Sequence, residues 1–256
     1  MPEHSTPAFG PSDDLRGARF DRVPLTGARF VSSGLSDVVL RGVDVQGMDI
    51  DAPWLFEGGG VLLLNGVDVV PLVDAELDRR FPGRAERRAT TPDGLRSAWA
   101  AVERAWAAAV DHAATLPAGT TDVSVGGEWS FAQTLRHLVM ATDTWLNRAV
   151  LRHAEPYHPA GLANAGAEED GLDPSAFTTD PVPYAEVLAV RAGRIAMVRD
   201  FLSAVTEADL AQQRENPWAP GHAETVLSCL HTILQEEWDH LRYATRDLAA
   251  IEAATA

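Results

Sequence analysis

From Leu15 to Ile50 an apolar residue returns at every fifth position: Leu15, Phe20, Leu25, Phe30, Leu35, Leu40, Val45 and Ile50. Two residues before each of the later centres stands a smaller or apolar side chain, at Ala18, Val23, Ala28, Ser33, Val38, Val43 and Met48. A helix repeats about every 3.6 residues and a strand about every 2, so this stretch is patterned for neither. The spacing suits a square solenoid built from five-residue sides, with centre and small residue both pointing inward.

That pattern resembles the pentapeptide-repeat family, over about Asp14 to Asp51. The resemblance implies a short right-handed β-solenoid. Eight sides make only about two coils, and stacked repeats need neighbours to bury their faces, so the segment is expected to dock on the rest of the chain. Long family members mimic duplex DNA. Here the coils are too few and the charges too mixed, with Arg16, Arg19, Arg22, Arg29 and Arg41 set against Asp21, Asp37, Asp44, Asp49 and Asp51. A packing or docking module is the reading that remains. Asn65-Gly66 between the apolar runs 61–64 and 67–70 predicts a β-hairpin, because both central turn positions want positive φ. The charged stretch Asp74 to Arg88, interrupted by Pro82-Gly83, reads as a short helix and then a linker. The N-terminal part is therefore placed at 14–88.

Residues 92–251 carry four helix-spaced apolar stripes. The first runs from Pro92 to Leu116 through Leu95, Trp99, Val102, Trp106 and Val110. Ser130 with Gln133 has the form of a capping box and opens a second helix reaching about Arg152. A third spans about Val182 to Val205, and a fourth starts near His222 and carries Leu227, Leu230, Leu234, Leu241 and Leu248. The stretch from His153 to Pro181 is too long for a bundle turn, and loops of that length are often lids or binding loops. The expected fold class is mixed, a short solenoid and hairpin followed by an all-α four-helix bundle, a scaffold that hosts metals in its core.

A net charge of −16 argues against binding nucleic acid through phosphate contacts. All 21 basic residues are Arg, which with abundant Ala and Gly suggests a GC-rich bacterial origin. The single Cys229 excludes an internal disulfide framework and fits a reducing cytosol. No run approaches the roughly 18 apolar residues of a membrane span, and no signal peptide opens the sequence, so a cytoplasmic location is expected.

The chemistry concentrates in Gln235-Glu236-Glu237-Trp238-Asp239-His240. Glu236 and His240, four apart, share a helix face and can grip one divalent ion if a third ligand arrives from elsewhere; His137 is the natural candidate. With Leu230 as the core direction, Glu237 falls near the centre of the buried stripe, His240 at its edge and Glu236 further round. Glu237 thus competes as the carboxylate ligand through Glu-x-x-His spacing, while i,i+4 stacking favours Glu236 and leaves Glu237 to hydrogen-bond a ligand or line the pocket. Set against the site are plainer readings: His137 as a half-buried core histidine, and Glu236 with His240 as an ordinary surface pair. His231 lies on the opposite side and reads as structural. Cys229 lines the pocket or fills the core, Trp129, Trp145 and Trp238 serve mainly for packing with one of them walling the pocket, and Asp239 reads as a solvated face, with support of the ligands from behind as the alternative.

Glu128-Trp129-Ser130 leading into Leu135-Arg136-His137-Leu138, with Glu236 to His240 in the last helix, resembles the DinB-like superfamily over about Pro92 to Ile251. That superfamily includes mycothiol-dependent maleylpyruvate isomerases and thiol S-transferases. The resemblance implies a divalent metal, zinc or else nickel, held by His137, Glu236 and His240. It also implies a low-molecular-weight thiol such as mycothiol as cofactor, a small electrophile as substrate, and a homodimer. Two function classes follow: a metal-dependent thiol transferase or isomerase, or a non-catalytic metal- or partner-binding stress-response module whose repeats are the docking surface.

Overall fold

A computed structural model describes residues 8–57 and 59–255, which divide into two compact units between Ile50 and Asp51. The opening residues read above for a signal peptide lie partly outside the described residues, at 1–7. Among the described residues no helix is long and apolar enough to cross a membrane.

In the first unit the five-residue period is written into the backbone. Positive φ recurs at Gly17, Arg22, Gly27, Ser32, Asp37, Gly42 and Gly47. At every second repeat a tight turn closes, from Ala18 N to Leu15 O, Ala28 N to Leu25 O, Val38 N to Leu35 O and Met48 N to Val45 O, at 2.9–3.2 Å. The inward burial expected of the centres is not seen, because Leu15 through Ile50 keep 44–61% of their surface. No β-ladder joins these residues among those described. So few repeats supply no stacked neighbour on either side of a given turn.

The second unit opens with residues Pro53–Phe56 in a 3₁₀ turn, then strands β1 (Leu63–Leu64) and β2 (Val67–Asp68). Asn65 and Gly66 both take positive φ, so the hairpin follows its turn chemistry. Helix α1 (Val70–Arg80) follows, and then a 3₁₀ turn, Arg84–Arg88. This stretch is not the linker its charge suggests. Arg84 and Arg87 are buried, at 2% and 4% exposure. Arg84 Nη1 donates to Asp74 at 2.8 Å and Asp78 at 2.5 Å, Arg87 to Asp74 at 2.8 Å, and Arg88 also reaches Asp74. Composition reads arginine as solvated, whereas here two carboxylates neutralise the guanidiniums and allow them inside. Gly83 makes the turn possible, with φ of 96° and a position where a Cβ would lie 2.6 Å from that of Ala101.

Four helices form the bundle: α2 (Pro92–Thr115), α3 (Phe131–Thr142), α4 (Tyr184–Ala204) and, after the short α5 (Glu207–Leu210), the long α6 (Val226–Thr255). Helix α2 packs on α4 and α6, and α3 packs on the same two, which closes the ring. The core holds Leu95, Trp99, Val102, Leu135, Leu138, Val198, Leu230 and Leu241, all within 3% exposure. Thr91 caps α2, and the Ser130–Gln133 capping box starts α3.

Two departures from sequence periodicity matter. The second helix continues beyond Thr142, but as a π-helix over Asp143–Val150. Helix α6 begins at Val226 rather than near His222, because β3 (Gln213–Glu215) and β4 (Ala223–Thr225) pair first around an Asn216-centred turn. Neither three-residue strand is long enough to show a period.

The Asp74 carboxyl feels burial pushing its pKa up, and the hydrogen bonds from Arg84, Arg88 and Arg87 outweigh this and hold it down at about 2. A depressed carboxyl stabilises the fold above its unfolded pKa, here 3.8, and loses that contribution as pH falls toward 2. Acid titration of unfolding free energy should show about 2 kcal/mol disappearing over that window. Asp74→Ala, by stranding two buried guanidiniums on Asp78 alone, should cost about 3 kcal/mol in urea unfolding.

Candidate metal centre

His137 sits on the buried stripe of α3 between Leu135 and Leu138, and Glu236 and His240 lie one turn apart on α6, which packs against α3. The bundle therefore brings the three together across 99 residues of sequence. One ligand-type atom from each lies within 4.8 Å of the others. His137 Nε2 is 3.3 Å from Glu236 Oε2, His240 Nδ1 is also 3.3 Å from Oε2, and the two imidazole centroids are 4.6 Å apart.

The protonation pattern suits a cation. His137 Nδ1 is 3.2 Å from the Leu162 carbonyl, so it carries a proton and donates, and Nε2 is the nitrogen turned toward Glu236. His240 Nδ1 makes the corresponding bond, 2.9 Å, to the Glu236 backbone carbonyl. Burial pushes the His240 pKa down to about 4, with the charge of His137 adding to the push, so this ring is neutral at pH 7. Burial acts to raise Glu236, but the hydrogen bond from His137 and the charges of both histidines prevail and hold it below its ordinary range. A carboxylate and two imidazoles form a donor set that divalent zinc or nickel accepts. Glu236 keeps 31% of its side chain exposed against 7% for His137, so the centre opens on the Glu236 side.

Around these three, Trp129 lies with its ring 4.6 Å from that of His137 and 6.2 Å from that of His240, walling the site. Glu237 points elsewhere. It is 1% exposed and faces α4, where Arg191 Nη2 lies 2.5 Å from Oε1 and also touches Oε2. Burial pushes the Glu237 carboxyl up; Arg191 pulls against that, and the charge of Glu236 adds to the rise. Cys229 is fully buried in the apolar core, with its thiol pushed up to about 11 by burial, and it is not among the three converging side chains. His231 hydrogen-bonds the Ala89 carbonyl at 2.8 Å, a structural role. Asp239 corrects the sequence reading: it is 6% exposed rather than solvated, hydrogen-bonded to Gln235 at 2.6 Å and pushed up to about 6 by burial.

Sequence reasoning missed several contributors. The long loop is fastened to α3, where Arg136 donates to the carbonyls of Ala160 and Gly161 at 2.9 and 3.2 Å, and Leu162 N returns a bond to Arg136 O. The π-helix buries Asp143, which accepts from Arg194, Asn147 and the backbone of His158. Tyr243 stands edge-on to His240 at 5.6 Å, and its three-residue spacing from His240 was a signal that could have been read. Glu57 is also close: burial raises its pKa, and the charge of Glu236 raises it further.

Fold and side chains together define a helical bundle whose interior presents a two-histidine, one-carboxylate donor set. The chain belongs to the DinB superfamily, whose profile matches residues 101–244, a span that contains all three converging side chains. No curated protein and no solved structure matches it significantly.

The Arg191–Glu237 pair yields a direct test of which glutamate serves the centre. Glu237→Ala should destabilise the fold by about 4 kcal/mol, because it leaves a buried guanidinium without its counter-charge. Replacing both partners with leucine should recover most of that loss. Metal stoichiometry of the folded double variant, measured by elemental analysis, should match that of the unaltered chain.

Proposed function

We propose that this protein is a metal-dependent enzyme that activates a low-molecular-weight thiol for transfer to, or isomerisation of, a small electrophile. The observation that carries the reading is the convergence of His137, Glu236 and His240 within 4.8 Å, one from α3 and two from α6. Superfamily membership supports it, and resemblance to the mycothiol-dependent branch, with Glu236 in place of a first histidine, suggests the thiol class.

Each residue has a part that follows from its surroundings. His137 holds its proton on Nδ1 against Leu162 O and offers Nε2. His240, kept neutral by burial, offers its second imidazole without a proton to displace at pH 7. Glu236 supplies the negative charge that imidazole donors lack. A bound divalent ion would lower the pKa of an entering thiol and hold it as the thiolate. Trp129 shields the two imidazoles on one flank, which leaves the Glu236 side as the entry for thiol and electrophile. The loop 153–181 would contact the thiol or the substrate. We read the five-residue repeat as a pentapeptide-repeat docking module, and the enzyme as cytoplasmic and dimeric.

Elemental analysis of gently purified, untagged protein should find about one zinc or nickel per chain. His240→Ala should release that ion while far-UV circular dichroism stays unchanged, since the apolar stripes of the bundle remain. A variant that keeps its full complement would place the ion elsewhere, and the thiol chemistry proposed here would lose its basis.

A further inference from the structure

Tyr243 is held by more contacts than an ordinary surface tyrosine. Its ring stands nearly perpendicular to His240, at 86°, with 5.6 Å between centroids. The Arg242 guanidinium lies 4.4 Å from the Tyr243 centroid and that of Arg246 lies 5.6 Å from it. Both arginines are tied to the same carboxylate. Arg242 Nη2 donates to Asp51 Oδ1 at 2.7 Å, the Tyr243 hydroxyl reaches Oδ1 at 3.3 Å, and Arg246 Nη1 is 3.5 Å from Oδ2. Arg246 then donates to Glu128 at 2.5 Å, next to the Trp129 that covers both imidazoles.

Asp51 opens the second unit and lies outside the span matched by the superfamily profile. We propose that Asp51 is a positioning residue for the metal centre: by pinning Arg242 and Arg246, whose guanidiniums lie over the Tyr243 ring, it fixes that ring against His240 and ties the Glu128–Trp129 wall to α6. The segment just before the bundle thus finishes a site whose ligands all come from the bundle. The inference rests on the reading of His137, Glu236 and His240 as ligands, but its geometry does not require that an ion be present.

The test uses the full chain and compares Asp51→Ala, Tyr243→Ala, Tyr243→Phe and the Asp51→Ala/Tyr243→Ala double variant. In metal-free protein, imidazole ¹H–¹⁵N NMR should show the His240 ring resonances displaced in Asp51→Ala and Tyr243→Ala, and nearly unmoved in Tyr243→Phe. Zinc affinity, read by competition with a chromophoric chelator, should fall about tenfold in both alanine variants at unchanged stoichiometry, the size of effect typical of outer-shell partners. The double variant should lose no more than either single one, because the two residues act as a unit. Cobalt substitution should show an altered d–d spectrum in Asp51→Ala. Undisplaced His240 resonances in Asp51→Ala would overturn the inference, as would additive losses in the double variant. If the unaltered chain binds no zinc, the proposed function fails, and the NMR comparison still decides the role of Asp51.

Discussion

Two carboxylates stand side by side near the interior of this bundle, and the surrounding fold answers each of them separately. Glu236 and Glu237 are adjacent on α6, so they point about 100° apart and cannot share a counter-charge. Glu237 turns toward α4 and takes the guanidinium of Arg191 in full burial. Glu236 turns toward α3, where imidazoles take the place of a guanidinium. An arginine at that second position would neutralise the charge permanently. Two imidazoles, of which His240 has its proton affinity lowered by burial, leave it available to a cation. The same helix thereby carries a structural ion pair and a donor set one residue apart, one facing α4 and the other α3.

Much of this was legible because helices advertise themselves. The stripes at Leu95, Trp99 and Trp106, and at Leu230, Leu234 and Leu241, gave a bundle, and Asn65-Gly66 gave its hairpin. The i,i+4 spacing on α6 favoured Glu236 while the helix wheel kept Glu237 in competition, and the contact to Arg191 supplies the reason for their different surroundings. What stayed hidden was whatever depends on tertiary partners. Arg84 and Arg87 look like surface residues until Asp74 and Asp78 are placed beside them. Asp239 looks solvated until its helix is enclosed. The π-helix leaves no mark in a hydrophobic period, and Asp51 lies far from Tyr243 in sequence. The repeat is the opposite case: its period persists in the backbone turns while its centres remain exposed.

The centre also depends on a segment that contributes no ligand. The loop between the π-helix and α4 is fixed to α3 near the centre through its main chain, where Arg136 grips the carbonyls of Ala160, Gly161 and Thr178 and His137 uses the carbonyl of Leu162; further along, Ala167 and Leu172 pack on Met140. A carbonyl is the same on every amino acid. The stretch 160–162 is therefore held by its path more than by its side chains, apart from Gly161, where a Cβ would meet the Phe177 ring at 2.8 Å. Side-chain substitutions at Ala160, Leu162 and Thr178 leave the acceptor that orients His137 in place, whereas adding or removing one residue moves it. One inserted or deleted residue in this loop would therefore shift the carbonyl that holds the proton on His137 Nδ1, with no change to any of the three converging side chains.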